Sequence, residues 1–593
     1  MVKILINDWL FSMGATALLR MDEEHQIKCD GNVLDVPIEW FESLPERFFD
    51  YLVRTYSMGA RRKEQLDQSF QKIKLSIENG KVKNTDSYKI HGDIINNTLK
   101  EGLDRVAKYF PDYQDEATKL IIEGKNALKQ IDLPTLEKVI HRAIEILNEP
   151  EIDQKLTINV VKGTILSSSG GQVSFLNVAK NTLSFKEQIA VFRKDFIDPL
   201  VLELKLQQCI ENNDADTAWK LIQESDIGIA EQWKKKNKKA KSIDFNYFEK
   251  LPPCSGIEGQ WGTLVYQEMM FMPLASTSFN DFYNGQMTSA PLISTLARLL
   301  LFISPLGCTS YRKTIGREEH FVFSFLHVEG DCEETRKRND AFARAFRRDN
   351  LFSTALISSH EKMIKKEKER ETVTLLIEWV TFNKSKKTLL EYRVVNEKFI
   401  KTLLSGSTHF DINKIFSYAF REQLIHEALR NNDTKTLIFE EMRRLITDNS
   451  KNYYSIKMAL NLRELILKEG QTVEQKTLTD RMYGRGQALQ KELLKKQNMQ
   501  ESKEYTSPNE KKIATIAYRL LNAAKGGNRE VFFETVLRLH LLANLPINKE
   551  FTSLLDRKVV SDHEFATMSL AFIAGLMSQF ESKGTKEVEE VEV

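Results

Sequence analysis

Six lysines, Lys234, Lys235, Lys236, Lys238, Lys239 and Lys241, crowd into eight consecutive positions with no acid among them. Ammonium groups at that density release counterions on meeting a nucleic-acid backbone, so the run is a candidate phosphate contact expected on a solvated loop; a plain linker has the same composition. Further basic groups lie at Arg312, Lys313 and Arg317, at Arg336, Lys337 and Arg338, and at Arg344, Arg347 and Arg348. Tyr311, Phe342 and Phe346 are interleaved with them, as in surfaces where bases stack on rings. Phe342 and Phe346 are also four apart, which suits the core face of a helix. Near the C-terminus, Lys512 and Arg519 share one helix side, with Lys525, Arg529 and Arg538 nearby. Three amides, Gln172, Asn280 and Asn284, stand in glycine-flanked, turn-like contexts. Such side chains can pair with base edges or brace their own turns.

Catalytic spacings are missing. No GxxxxGK[ST] occurs, and Gly163 to Gly171 resembles a phosphate loop only in its Ser/Gly content. There is no HExxH; His409-Phe410-Asp411 is not an adjacent His-Asp pair, and Glu318-Glu319-His320 lacks a second histidine at ligand spacing. His327, in FVFSFLHV, reads as a hydrogen-bonded sheet residue, and the glycines of DRMYGRGQ (Asp480 to Gln487) read as a helix break. A binding protein is therefore expected rather than an enzyme, with no catalytic residue, metal or cofactor.

Lys+Arg 85 against Asp+Glu 83 nearly cancel, so only local segregation of charge can mark a nucleic-acid partner. The five cysteines (Cys29, Cys209, Cys254, Cys308, Cys332) are dispersed and never in CxxC, which suits a reducing cytoplasm. No apolar run reaches the ~20 residues of a membrane span.

The elements that must carry these residues follow from caps and periodicity. At 593 residues two or three domains are expected. Asp8 caps a helix holding Trp9, Met13, Thr16 and Arg20; Asp30-Gly31 marks a hairpin; Pro37 leads into a helix ending near FFDYLVRTY. Ser87 to Asn148 and Asn181 to Glu224 read as helical, and LTINVVKGTIL, rich in branched residues, reads as a strand. Beyond Asp411 helical stripes dominate, giving an α+β chain with a mixed domain over 1–405, a helical bundle over 406–583 and an acidic tail over 584–593. In the bundle, Gly526-Gly527 stops one helix and Asn528 caps the next, with Phe533, Val536, Leu537 and Leu541 inward. Ser561 and Glu564 form a capping box for a last helix with Phe565, Met568 and Phe572 inward.

Several stretches, taken in order, resemble the large subunit of type I-B CRISPR Cascade, a surveillance complex that carries a guide RNA. They are Asp8, Trp9, Leu10 and Gly14; Gly171, Gln172, Ser174, Phe175 and Leu176; Phe279, Asn280, Phe282, Tyr283 and Asn284; and Pro305, Leu306, Gly307 and Tyr311. The last set is Tyr518 to Ala523, Gly527-Asn528-Arg529 and Ala571 to Leu576, so the resemblance spans nearly the whole chain. Relatives with paired central cysteines suggest a zinc ribbon, whereas here Cys254 stands alone in PPCSGIEGQWG.

The resemblance implies a non-catalytic, cytoplasmic subunit. Its partners would be guide crRNA, target double-stranded DNA, the Cascade backbone and handle-binding subunits and a recruited helicase-nuclease, with no membrane. Asn280, Asn284 and Gln172 would read the protospacer-adjacent motif, the basic residues would hold backbone, and the bundle would lie beside the displaced strand. It also implies a short C-terminal product from an internal start, for which Met482 and Met499 are placed. Two other readings of the residues stay open: a nucleic-acid-processing enzyme with dispersed metal-binding acids, and a helical scaffold without nucleic acid.

Overall fold

The Asp8 backbone is extended and its carboxylate accepts from the Leu10 N–H at 2.9 Å, which starts the helix Trp9–Met21 at the expected cap. Around it, the computed structural model describes residues 1–78, 86–172, 174–267, 270–271, 291–315, 318–364, 373–381, 388–395, 400, 411–430, 432–448, 450, 452–467, 477–498 and 508–578. These are mostly helical with three small sheets, an α+β protein. They divide into two compact units, Met1–Asn339 with Leu375–Tyr392, and Asp340–Thr374 with Arg393–Val593. The boundary expected near residue 405 lies outside the described residues. The division falls earlier, inside the helix Cys332–Asp349, and a later segment returns to unit 1 by strand pairing.

Unit 1 opens with β1 (Val2–Leu5), β2 (Lys28–Asp30) and β3 (Val33–Val36) in the order β1-β3-β2, and Gly31 makes the β2–β3 turn at a φ of 58°. β4 (Leu264–Val265) pairs with β5 (Leu292–Ile293). β6 (Thr309–Ile315), β7 (Glu318–Val328), β8 (Thr374–Thr381) and β9 (Thr388–Val395) form one sheet in that order. The centre of the unit is a pair of apolar helices, Trp9–Met21 and Thr295–Gly307. A Cβ on Gly14 would stand 2.5 Å from the Leu300 carbonyl oxygen, and one on Gly307 would stand 2.0 Å from that of Met13. Only hydrogen fits at either position. Arg20 locks the pair by donating to the Leu306 carbonyl at 2.7 Å. Beside it Phe48, Phe175, Phe192 and Phe302 pack ring on ring, with Phe48 and Phe192 stacked at 4.6 Å.

The segment read as a strand, LTINVVKGTIL, instead forms the C-terminal part of the helix Pro150–Gly163 and the start of the 3-10 turn Ile165–Ser169. Pro150 occupies the first helical position, and Ile152, Leu156, Ile158 and Val161 bury on neighbouring turns. Packing at helical spacing outweighs the weak extended preference of Ile and Val.

Unit 2 is helical. Tyr418–Leu429, Lys435–Thr447, Tyr453–Leu467, Leu478–Asn498, Pro508–Lys525, Arg529–Ala543 and Asp562–Met577 are its longer helices. The Ser561–Glu564 capping box and the Asn528 cap both form, and Gly527 turns the chain at a φ of 65°. DRMYGRGQ is not a break: it lies inside Leu478–Asn498, whose Gly486 lets the helix approach Asp562–Met577 closely. The face of Arg529–Ala543 is also turned from the one expected. Phe532, Thr535, Val536, Leu539, His540 and Ala543 are buried, while Leu541 and Leu542 are exposed. That helix is apolar over more than one stripe, so periodicity alone could not choose the inward one.

Candidate nucleic-acid interface

A basic concavity of unit 1 was not visible as a charge run. Arg61, Arg62 and Gln65 begin one wall from the helix Met58–Glu78, and Asn97, Glu101, Arg105, Lys108 and Tyr109 line another from Asp86–Tyr109. Asn159 and Gly163 close the side, and Ser310, Arg312 and Phe321 on β6 and β7 close the end, enclosing about 860 Å³. Arg62 is buried, donates to the Thr98 carbonyl at 2.7 Å and meets Glu101 at 3.5 Å. Burial chiefly, and then the neighbouring Arg105 charge, lower its pKa against the opposing pull of Glu101. Next to the wall, Lys162 donates to Asn181 at 3.1 Å, and burial with the Lys155 and Lys180 charges pushes it down to about 8. Both polar atoms of the Asn159 side chain are buried with no hydrogen-bond partner among the described residues. Lys108 and Lys155 stand 5.5 and 6.0 Å from the Tyr109 ring centre. The signal that could have found this cleft is the stride of 97, 101, 105 and 108, one face of a helix.

The lysine run divides in two. Lys234, Lys235 and Lys236 are not in a loop but in the last turn of the helix Gly228–Lys236, where cations are favoured by the carbonyl end of the dipole. Lys234 pairs with Asp226 at 2.7 Å, Lys235 with Glu231 at 2.6 Å, and Lys236 lies 5.6 Å from the Tyr247 ring. Lys238, Lys239 and Lys241 are exposed beyond that helix.

Other basic positions scatter. Arg312 is exposed and pairs across the sheet with Glu319 at 3.1 Å, and Lys313 is half-buried beside it on β6. Arg336 and Lys337 share Glu333, and Arg338 is buried against Glu334. Arg344, Arg347 and Arg348 are exposed, the last paired with Asp349 at 2.8 Å. Arg519 is exposed and Arg538 pairs with Glu534. Arg529 is an interior residue: it donates to the Leu554 and Val560 carbonyls at 2.9 and 2.8 Å and pairs with Asp562. Arg317 and the side chain of Lys512 lie outside the described residues.

The interleaved aromatics belong largely to the core. Tyr311 is buried and donates to Glu378 with Ser324 alongside, and Phe342 is buried against Phe352. Gln172 is buried too; its amide donates to the Met270 carbonyl and accepts from Arg298, both at 3.2 Å. It thus ties its loop to two distant segments of unit 1 rather than bracing its own turn. Asn280 and Asn284 lie outside the described residues, as do His409 and Phe410. His327 is buried in the strand Glu318–Val328, its Nδ1 has no hydrogen-bond partner among the described residues, and burial pushes its pKa down to about 4.

Two dispersed cysteines meet in space. The Cys29 and Cys332 thiols hydrogen-bond, which lowers the Cys29 pKa and raises that of Cys332. Cys254 is buried and accepts from the Ser294 N–H at 3.3 Å. Among the described residues no group of three or more His, Cys, Asp or Glu is placed to hold a metal, and no helix is long and apolar enough to cross a membrane. No family model, curated protein or solved structure matches the chain.

Proposed function

We infer that this chain is the non-catalytic large subunit of a type I-B CRISPR Cascade complex, recognising a protospacer-adjacent motif, contacting the displaced strand and recruiting a helicase-nuclease. The observation that carries the reading is the ordered series of family-like stretches from Asp8 to Leu576. Many of these residues do one job in the fold. Gly14 and Gly307 seat the central helix pair, Phe175 fills the aromatic cluster, and Gly575 lies against Tyr483. Residues that specify a close-packed scaffold are the ones a distant relative must keep in order, because nothing else fits at such positions. The division of labour is physically consistent, since guide pairing supplies sequence and the protein needs motif readout and backbone contacts. Motif readout is assigned to Asn280 and Asn284.

The test is affinity purification of the tagged chain from its own cells. A small guide RNA and several backbone proteins should copurify, and the purified chain with magnesium or manganese should leave DNA intact. Recovery of the chain alone, free of RNA, refutes the assignment; cleavage by the chain alone makes it an enzyme.

A further inference from the structure

We propose that the cleft of unit 1 between the helices Met58–Glu78, Asp86–Tyr109 and Pro150–Gly163 binds single-stranded nucleic acid, its phosphates held by Arg61, Arg105 and Lys108 and a base drawn onto Tyr109. Four arginines and a lysine converge on one concavity that holds a single carboxylate, Glu101. Guanidinium forks match phosphate oxygens in pairs, and their predominance over lysine favours phosphate over a diffuse acidic surface. Arg105 and Lys108 are exposed, so they can meet a ligand, whereas Arg62 is buried and braces the wall.

The remaining lining distinguishes a strand from a duplex. Asn97, Gln65 and Asn159 offer amides, and Tyr109 and Phe321 offer rings within the same cleft. An intact duplex presents phosphates outward and keeps its base faces stacked, so it cannot stack a base on the half-buried rings of Tyr109 and Phe321. An unpaired base can do both, stacking on the ring and hydrogen-bonding by its edge. The Asn159 side chain belongs to the same lining, and its two polar atoms are buried with no partner among the described residues. This site deepens the surveillance reading and rests on it only for where the strand comes from; the binding chemistry is that of the isolated chain.

The experiment is fluorescence anisotropy of the full-length purified chain with a labelled oligothymidine of about 20 nucleotides, titrated between about 50 and 200 mM salt. R105Q/K108Q should weaken binding at least fivefold at the low-salt end and make the salt slope shallower by about 1.4, the single-strand value for two phosphates no longer neutralised. K125Q/K129Q removes the same charge from exposed positions of the helix Gln114–Gln130, away from the cleft, and should change affinity less than twofold. Tyr109→Leu should weaken binding at least fivefold with the slope unchanged. All variants should keep the parent melting temperature within a few degrees.

The inference is overturned if R105Q/K108Q behaves like K125Q/K129Q, or if a hairpin duplex displaces the probe better than the unlabelled strand. It is equally overturned if inorganic phosphate at matched phosphate concentration, or polyglutamate, displaces it as well as the strand does. Copurification decides the surveillance reading and this titration decides the cleft, so either can fail alone.

Discussion

Glu203 is 3% exposed, in the helix Asp198–Glu211, and accepts from the hydroxyls of Thr263 and Thr295 at 2.6 and 2.5 Å. Burial pushes its pKa up to about 7 against the opposing help of those hydroxyls. The folded protein therefore keeps a proton that the unfolded chain, titrating near 4.3, gives up earlier. Its contribution is complete below about pH 4 and is lost as pH rises through 7. Glu203→Gln should consequently stabilise the protein relative to the parent at pH 8 by roughly 2–3 kcal/mol more than at pH 5. Urea midpoints at the two pH values measure this, and parallel curves for both proteins would contradict it. Gln172 and Arg529 show why residue type alone misleads. Each is a type that recognises nucleic acid, yet each satisfies backbone carbonyls inside the protein, where an unmet carbonyl is costly.

Two helices of unit 2, Leu478–Asn498 and Asp562–Met577, touch through glycine. A Cβ on Gly486 would meet the Phe572 carbonyl oxygen at 2.2 Å and the Leu576 nitrogen at 2.6 Å, and one on Gly575 would meet the Tyr483 oxygen at 2.0 Å. These are backbone atoms and cannot rotate aside. Gly486→Ala should destabilise the unit by about 1–3 kcal/mol or more, because the helices must part. Gly484→Ala, two residues away with nothing within 4 Å, should instead add up to about 1 kcal/mol through helix propensity. Chemical denaturation of the pair separates the two effects, and equal shifts would show that the crossing tolerates a methyl group. The same crossing bears on an internal start. A product beginning at Met482 keeps Tyr483 and Gly486, whereas one beginning at Met499 lacks the helix that carries them.

For the whole molecule, charge is arranged rather than accumulated: the net is only +2, while one cleft gathers five cationic side chains. Neutralising Lys238, Lys239 and Lys241 should make the salt dependence of duplex DNA binding shallower, by up to about 0.9 for each phosphate that a lysine no longer neutralises. Neutralising the ion-paired Lys234 and Lys235 should change it less; a filter-binding series across salt checks both, and no change from the exposed three would make the segment a linker. Local signals were strong enough to fix much of the architecture from sequence. Asp8, Asn528 and the Ser561–Glu564 box each satisfy backbone groups within a few residues, so their helices start where the letters place them. The α+β class and the helical C-terminal half follow from the same short-range physics. Tertiary packing decided what short range leaves degenerate. It made LTINVVKGTIL helical, chose which stripe of Arg529–Ala543 turns inward, and ran a helix through Gly484 and Gly486. It also set Arg61, Arg105 and Arg312, more than 200 residues apart at the extremes, around one cavity. Caps and turns are bonds between neighbours in the chain and can be read there; a cleft is a convergence of distant segments, and burial decides which of their charges still face it.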